Sequence, residues 1–328
     1  FEVLRAILVA REQSSSKSGL ARALRHAPTD HRWIGDVLRA ATRRARHRAD
    51  WQLKVMRQLG LRWLPPWQWP SALARVQERA IGLFIRGERH ALFREGAGVV
   101  GARNASAGAE RWSEALAAWL CDSGLQVVSG GARGIDAAAH RGALWARGFN
   151  LSFIGVGCDA FYPRSQKQIF GRILDTGGAV LSEHPPGEGG RPYDHAARNR
   201  FIAALATTLY VAEAGTRSGS LITARRAIAL GTPVFVSPPG VARLDGGLKV
   251  VRELGANELR AVGPPPSPLV ARVREAWHRS DDGFSVSLPR PSLRAIEDSR
   301  SAAHGFCPAA GCPRRARILE RESRAYRS

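Results

Sequence analysis

The chain is expected to fold as an α/β domain with a doubly wound, mainly parallel sheet, flanked by a small helical N-terminal region and a poorly ordered C-terminal tail. Two observations carry this expectation. Short runs that are apolar nearly throughout recur along the chain: AGVVGA at 97–102, LQVVSGG at 125–131, LSFIGVG at 151–157, GAVLSEH at 178–184, TLYVAEA at 208–214 and TPVFVS at 232–237. Between them lie stretches of helical spacing, such as Ala115, Leu116, Trp119 and Leu120. Strands that are apolar on both faces and alternate with helices belong to a parallel sheet covered on both sides.

Taken in order, residues 1–30 are polar, serine-bearing and poorly periodic, and are expected to be a truncated start or a disordered leader. From His31 to about Gly60 the pattern turns helical, with Trp33, Val37, Leu38, Trp51, Leu53, Val55 and Leu59 available for an apolar face and arginines opposite. LPPWQWP at 64–70 breaks this helix, because prolines remove donors and push the preceding residue toward extended geometry. A domain boundary is placed there, with the helical region at 31–68 and the α/β domain at 69–262. GPPPSP at 263–268 then opens a Pro- and Arg-rich linker and tail, 263–328, with one short helical candidate at LVARVREAW.

The charge points to a polyanionic partner. Forty-nine Lys and Arg residues against 28 Asp and Glu give a net charge of +21, nearly all of it from arginine. A genome that writes Arg where Lys would serve gives the same excess, so charge alone does not decide. The four cysteines, Cys121, Cys158, Cys307 and Cys312, make no disulfide framework for 328 residues and suit a reducing, cytoplasmic compartment. Cys307 and Cys312 near His304 lack a second ligand pair, so no metal is expected. No run of about 18 apolar residues suggests a membrane span.

Chemistry concentrates where strands give way to helices. In doubly wound sheets, ligands collect at the carboxyl ends of strands. After the first run comes GARNAS: Gly101 permits close backbone approach, Arg103 offers a planar fork of donors, and Ser106 can cap the next helix. After the second comes SGGARGID, where Ser129, Gly130 and Gly131 expose backbone N–H groups before a helix N-terminus and Arg133 stands at the lip. A glycine-rich turn is also what any tight strand-to-helix loop uses. Two further joints repeat the recipe: Arg198, Asn199 and Arg200 at a helix start, then Arg217, Ser218 and Ser220 before another. Several anion-seeking loops on one sheet edge suit successive phosphates better than a single nucleotide.

Catalysis finds less support. Asp136 and His140 lie one turn apart, a spacing that suits a dipole-complementing Asp beside a His better than an acid/base pair. Glu213 ends a strand and could be a base, or could orient Arg217 or a loop amide. Neither has an evident nucleophile, and no G-x-x-x-x-G-K-[ST] is present. Neither a catalytic residue nor a cofactor is therefore expected. Trp33, Trp51, Trp63, Trp67 and Trp69 could stack bases, although packing is the commoner use of such residues.

From Trp69 to Gly263 the sequence resembles the DNA-processing protein A (DprA/Smf) family. The resemblance is carried by WPSALARVQERAIGLFIRGE, GVVGARNAS, VVSGGARGIDAAAHRGAL, YP at 162–163, GAVLSEHPPG, ARNRFIAAL, EAGTRSGSLITARRAIALGTPVFVSPPG and ELGA, in that order. It implies an extended Rossmann-like domain in a non-enzymatic, homodimeric, single-stranded DNA-binding protein that protects incoming strands and helps to load the RecA recombinase during natural transformation. Carried over, Arg103, Ser129–Gly130–Gly131, Arg133, Arg198–Asn199–Arg200 and Arg217–Ser218–Gly219–Ser220 would line the strand's path. Lys249 stands where the family commonly has Asn, Arg252 where an apolar residue is usual, and YDHAA precedes RNR without the customary Phe-Pro. These departures bear on dimerisation and loading, and leave a diverged paralogue as an alternative. A nucleotide-processing protein of a related Rossmann-like fold is a second, but EAGTRSGSLITA lacks the P-G-G-x-G-T-x-x-E loop of that group.

Overall fold

The computed structural model describes residues 2–14, 31–76 and 80–258. Nine strands among these residues form one sheet: β1 (Arg62–Leu64), β2 (Leu83–Gly87), β3 (Gly96–Val100), β4 (Gln126–Ser129), β5 (Asn150–Phe153), β6 (Ala179–Ser182), β7 (Ala206–Val211), β8 (Val234–Val236) and β9 (Asn257–Glu258). Their order is β1-β2-β6-β5-β4-β3-β7-β8-β9. From β6 to β9 every pairing is parallel, while β2 runs antiparallel to both β6 and β1. The chain builds in one direction from β3 through β6, then restarts on the other side of β3 with β7. That reversal is the topological switch point, where loops diverge and a crevice opens.

The helices are α1 (Glu2–Gln13), α2 (His31–Arg39), α3 (Arg43–Leu59), α4 (Ser71–Ala74), α5 (Ala107–Asp122), α6 (Ile135–Trp145), α7 (Lys167–Asp175), α8 (Pro192–Ala197), α9 (Asn199–Leu205), α10 (Ser220–Ala229) and α11 (Gly246–Glu253). Alternation along β3 feeds two cores. Ala97 and Val99 meet Ala109, Trp112, Leu116 and Leu120 of α5 and Ile135 and Ala139 of α6. Val100 faces the other way, into a core with Phe153, Phe201, Leu209 and Leu221.

Each of the six apolar runs overlaps a strand, as expected. The leader departs from expectation: residues 2–13 form α1, whose Leu4, Leu8 and Val9 pack with Ala45, Ala49, Leu53 and Met56 of α3. Its apolar positions need a partner face that lies much further along the chain, so the local pattern reads as an unstructured segment. The stretch 31–60 is two helices rather than one. Thr42 ends the gap between them as the N-cap of α3, accepting from Ala45 N at 3.2 Å, and Gly60 closes α3 in the left-handed region at φ 63°. The face of α3 that is buried is Ala45, Ala49, Gln52, Leu53 and Met56, not the one through Trp51.

Contacts run across the stretch 64–70. Arg62–Leu64 adds a strand to the sheet, and Trp69 donates from Nε1 to Leu64 O at 2.9 Å and packs edge-on against Phe201. Gly60, five residues ahead of the first of these prolines, is what ends α3. GPPPSP, LVARVREAW and the rest of the tail lie outside the described residues, as do Cys307, Cys312 and His304. Among the described residues no helix is long and apolar enough to cross a membrane, and no group of His, Cys, Asp and Glu could hold a metal ion.

Candidate nucleic-acid interface

A cleft of about 170 Å³ opens at the carboxyl ends of β3, β4 and β5. Arg103, Gly131, Arg133 and Arg198 line it, together with Ala132, Ile154, Gly155, Tyr162, Pro163, Ser165 and His195. Arg103 and Arg133 are exposed, whereas Arg198 is only 6% exposed and forms part of the wall.

The floor is built from the SGG turn. Ser129 is fully buried and donates to Val99 O at 2.6 Å, tying β4 to β3. Gly130 O receives Ser152 Oγ at 2.9 Å and His140 Nε2 at 2.8 Å. Burial lowers the His140 pKa, which favours the neutral ring. Gly134 then turns the chain into α6 at φ 74° and ψ −127°, a conformation open to glycine, with the oxygens of Ala102 and Arg103 where a Cβ would sit. Ser129 and Gly130 therefore shape the joint from beneath, and Gly131 is the member of the triplet that faces the cleft.

Arg198 enters from the end of α8. Its guanidinium donates to Phe153 O and, at 3.4 Å, to Asp136 Oδ2, which also accepts from Ala132 N at 3.3 Å. Burial pushes the Asp136 carboxyl up, and the Arg198 charge opposes that push. Asp136 and His140, expected as a helix-turn pair, thus bond elsewhere: one to the arginine and a loop amide, the other to Gly130 O, with its Nδ1 2.9 Å from the Asn150 side-chain amide. His195, half-buried, stacks on Tyr162 with centroids 5.2 Å apart. Its pKa is lowered by burial, then by the charges of Arg198 and Arg103.

Arg200 is turned away from the cleft. It forms a fork on Glu183, with Nη1–Oε1 at 2.9 Å and Nη2–Oε2 at 2.5 Å, and donates to Val76 O at 3.1 Å and Ala197 O at 2.8 Å. Burial raises the Glu183 carboxyl, but the hydrogen bonds and charge of Arg200 outweigh this and hold it low. Asn199 Nδ2 donates to Gly219 O at 3.3 Å and so joins the start of α9 to the next loop. In that loop Ser218 Oγ and Ser220 Oγ are 2.7 Å apart, Ser220 is buried, Gly219 faces open space and Arg217 is exposed.

Ser106 caps α5 by accepting from Ala109 N at 3.3 Å. It is itself held by Glu213, whose Oε2 accepts Ser106 N at 3.0 Å and Oγ at 2.6 Å, while Oε1 accepts Leu244 N at 3.3 Å. Of the roles open to Glu213, orienting a loop amide is the one the structure displays. Gly101 lies close under Ile135 and Glu213 O, where a side chain would not fit.

The structure thus gathers Arg103, Gly131, Arg133 and Arg198 at one cleft and places Asn199 and the 217–220 loop on the adjoining joint. Tyr162, Ser165 and His195 are cleft residues that the sequence reasoning misses. The YP dipeptide signals the first only as a shared motif, and His195 sits in YDHAA, a stretch that stands out only as a departure from the family.

A family model described as DNA recombination-mediator protein A matches residues 64–263, well over half of the chain. Protein Smf of Escherichia coli is 38% identical over 170 residues, covering 52% of this chain and 46% of that protein. DNA processing protein DprA of Streptococcus pneumoniae is 39% identical over 178 residues, covering 54% and 62%. The chain therefore spans roughly half of the length of these relatives. The solved structure of DNA processing protein A from Streptococcus pneumoniae superposes with a TM-score of 0.60 at 29% identity, covering 80% of this chain and 90% of that one. That of DNA processing protein A from Helicobacter pylori gives 0.56 at 23%, covering 67% and 96%, a likeness of fold. Fold, order of motifs and extent of match agree: this chain belongs to the DNA recombination-mediator protein A family.

Proposed function

We propose that the rim formed by the 101–106, 129–134 and 217–220 loops and the start of α9 receives successive phosphates of single-stranded DNA. The observation that carries this reading is the convergence of Arg103, Arg133 and Arg198 on one cleft, with the buried Asp136 bonded to the last of them. Two of these guanidinium groups are exposed to solvent, and the third is fixed in the wall, so the cleft presents both attraction and a set geometry. The backbone of Gly131 lies between them ahead of α6, where an anion gains from the helix N-terminus. The Helicobacter pylori relative has a structure that gives insight into its single-stranded DNA binding mode. In this reading the chain is a non-enzymatic mediator, acting as a homodimer that protects incoming strands and passes them to the RecA recombinase.

Fluorescence anisotropy of labelled oligo-dT, with wild type and with Arg103→Ala plus Arg133→Ala at two salt concentrations, tests the strand's place. Tight, salt-sensitive binding that is lost in the double variant supports the reading. Equal binding by both proteins overturns the site, and absence of binding by wild type overturns the function.

A further inference from the structure

The cleft leaves unexplained a strongly basic element of the described chain, α3. Its buried side carries Ala45, Ala49, Leu53 and Met56. On another side Arg48, His47, Arg44 and Arg43 stand three, four, seven and eight residues before Trp51, the spacings of one helix face. Arg43, Arg44 and His47 are exposed. Nearby acids are already engaged: Asp50 faces Arg5 at 2.9 Å, Glu12 faces Arg44 at 3.4 Å, and Glu188 faces Arg11 at 2.9 Å.

Trp51 itself is 41% exposed, although Trp69 is only 8% exposed. The exposed indole is held in place. The Arg48 guanidinium lies 4.9 Å from its ring centroid and donates from Nη2 to Gly187 O at 2.8 Å. Gly187, at φ 73°, comes so close to the ring that a Cβ there would lie 2.8 Å from its atoms. Gln52 adds a bond to Pro186 O at 3.1 Å, so α3 and the 185–190 segment are fastened together. A large aromatic surface that is fixed, left in solvent, bordered by the Arg48 guanidinium and preceded on the same helix by exposed arginines has the composition of a base-stacking platform.

Its position joins it to the cleft. Gly190 N donates to Gly155 O at 2.8 Å, and Gly155 lines the cleft. Three peptide units separate Gly187 from Gly190, which is about 10 Å of extended chain.

We propose that Trp51, seated on Arg48, is a second contact for the same strand, stacking one base beyond the cleft while the exposed Arg43 meets an adjacent phosphate. This rests on the function proposed above.

The full chain is titrated with labelled oligo-dT short enough to fill only the cleft (about 5 nucleotides) and long enough to pass it (about 20). Trp51→Ala is expected to weaken the long oligonucleotide about tenfold and leave the short one unchanged, while Trp51→Phe restores most of the loss. Photo-crosslinking with 5-iodouracil in the long strand is expected to label the peptide that contains Trp51. Unchanged long-strand affinity in Trp51→Ala, or crosslinks confined to other peptides, overturns the platform while short-strand binding sustains the cleft. Wild type that binds neither oligonucleotide overturns both.

Discussion

Arg198 Nη2 and Asp136 Oδ2 lie 3.4 Å apart, with both side chains less than one-tenth exposed. The pair joins the start of α6 to the end of α8 behind the cleft. Removing one member leaves the other charge buried, which costs more than the attraction itself contributes. Asp136→Asn and Arg198→Met are each expected to lower stability by about 3 kcal/mol, and the double variant by less than the sum. Urea denaturation of the four proteins of this cycle checks it; additive losses would show that the pair is not coupled.

Arg103 and Arg133 are exposed to solvent, outside the packed core. Arg103→Ala and Arg133→Ala are therefore expected to change the melting temperature little. Each arginine that no longer meets a phosphate should reduce the slope of log Kd against log salt by about 0.7. Anisotropy titrations across a salt series read that slope directly.

Protons should follow the strand into the cleft. Burial and two arginine charges depress His195, so the free protein holds it neutral near pH 7. A phosphate beside it favours the imidazolium, so the bound pKa is higher than the free one, and binding takes up a proton. Affinity is expected to rise as pH falls from about 7.5 toward 5.5, and His195→Gln should flatten the dependence. Stability runs the other way. With His195 and His140 both lowered in the folded chain, the unfolded chain holds more protons just below about pH 6.5, so stability is full above that value and declines as pH falls through the folded pKa values.

Glu213 is wholly buried and accepts three donors from two loops. Glu213→Ala leaves those donors without a partner and is expected to cost about 3 kcal/mol. Ser106→Ala, which removes the cap but leaves its amide bonded, should cost about 1 kcal/mol. Thermal or urea unfolding ranks the two, and equal losses would count against Glu213 as the common anchor.

Much of the sheet can be read in the residues themselves. AGVVGA, LQVVSGG and the runs that follow are apolar on both faces because each strand is covered on both sides, and that leaves a mark in the sequence. LFIRG and RWL leave a weaker one, since each carries an arginine and the two strands run antiparallel at one side of the sheet. For α1, the evidence for a helix resides in α3, against which it packs. At the site, residue type foretells affinity for anions but not its direction. Arg200 and Arg198 differ by two positions and share a motif, yet Glu183 claims the first and the cleft keeps the second. Such pairings join residues far apart in the chain, and local pattern carries no trace of them.

The place of β6 governs how the molecule can be made. Among the described strands β2 pairs with β1 and β6, and its Ile85 sits opposite Leu181. During synthesis β2 emerges long before β6, and the two-stranded unit it makes with β1 is too small to persist alone in water. The N-terminal helices, fastened at Gly187 and Glu188, wait for the same segment. The nascent chain therefore has no finished edge on this side until residues beyond 180 have left the ribosome, and pairing across so long a stretch of sequence is expected to be slower than pairing between neighbours.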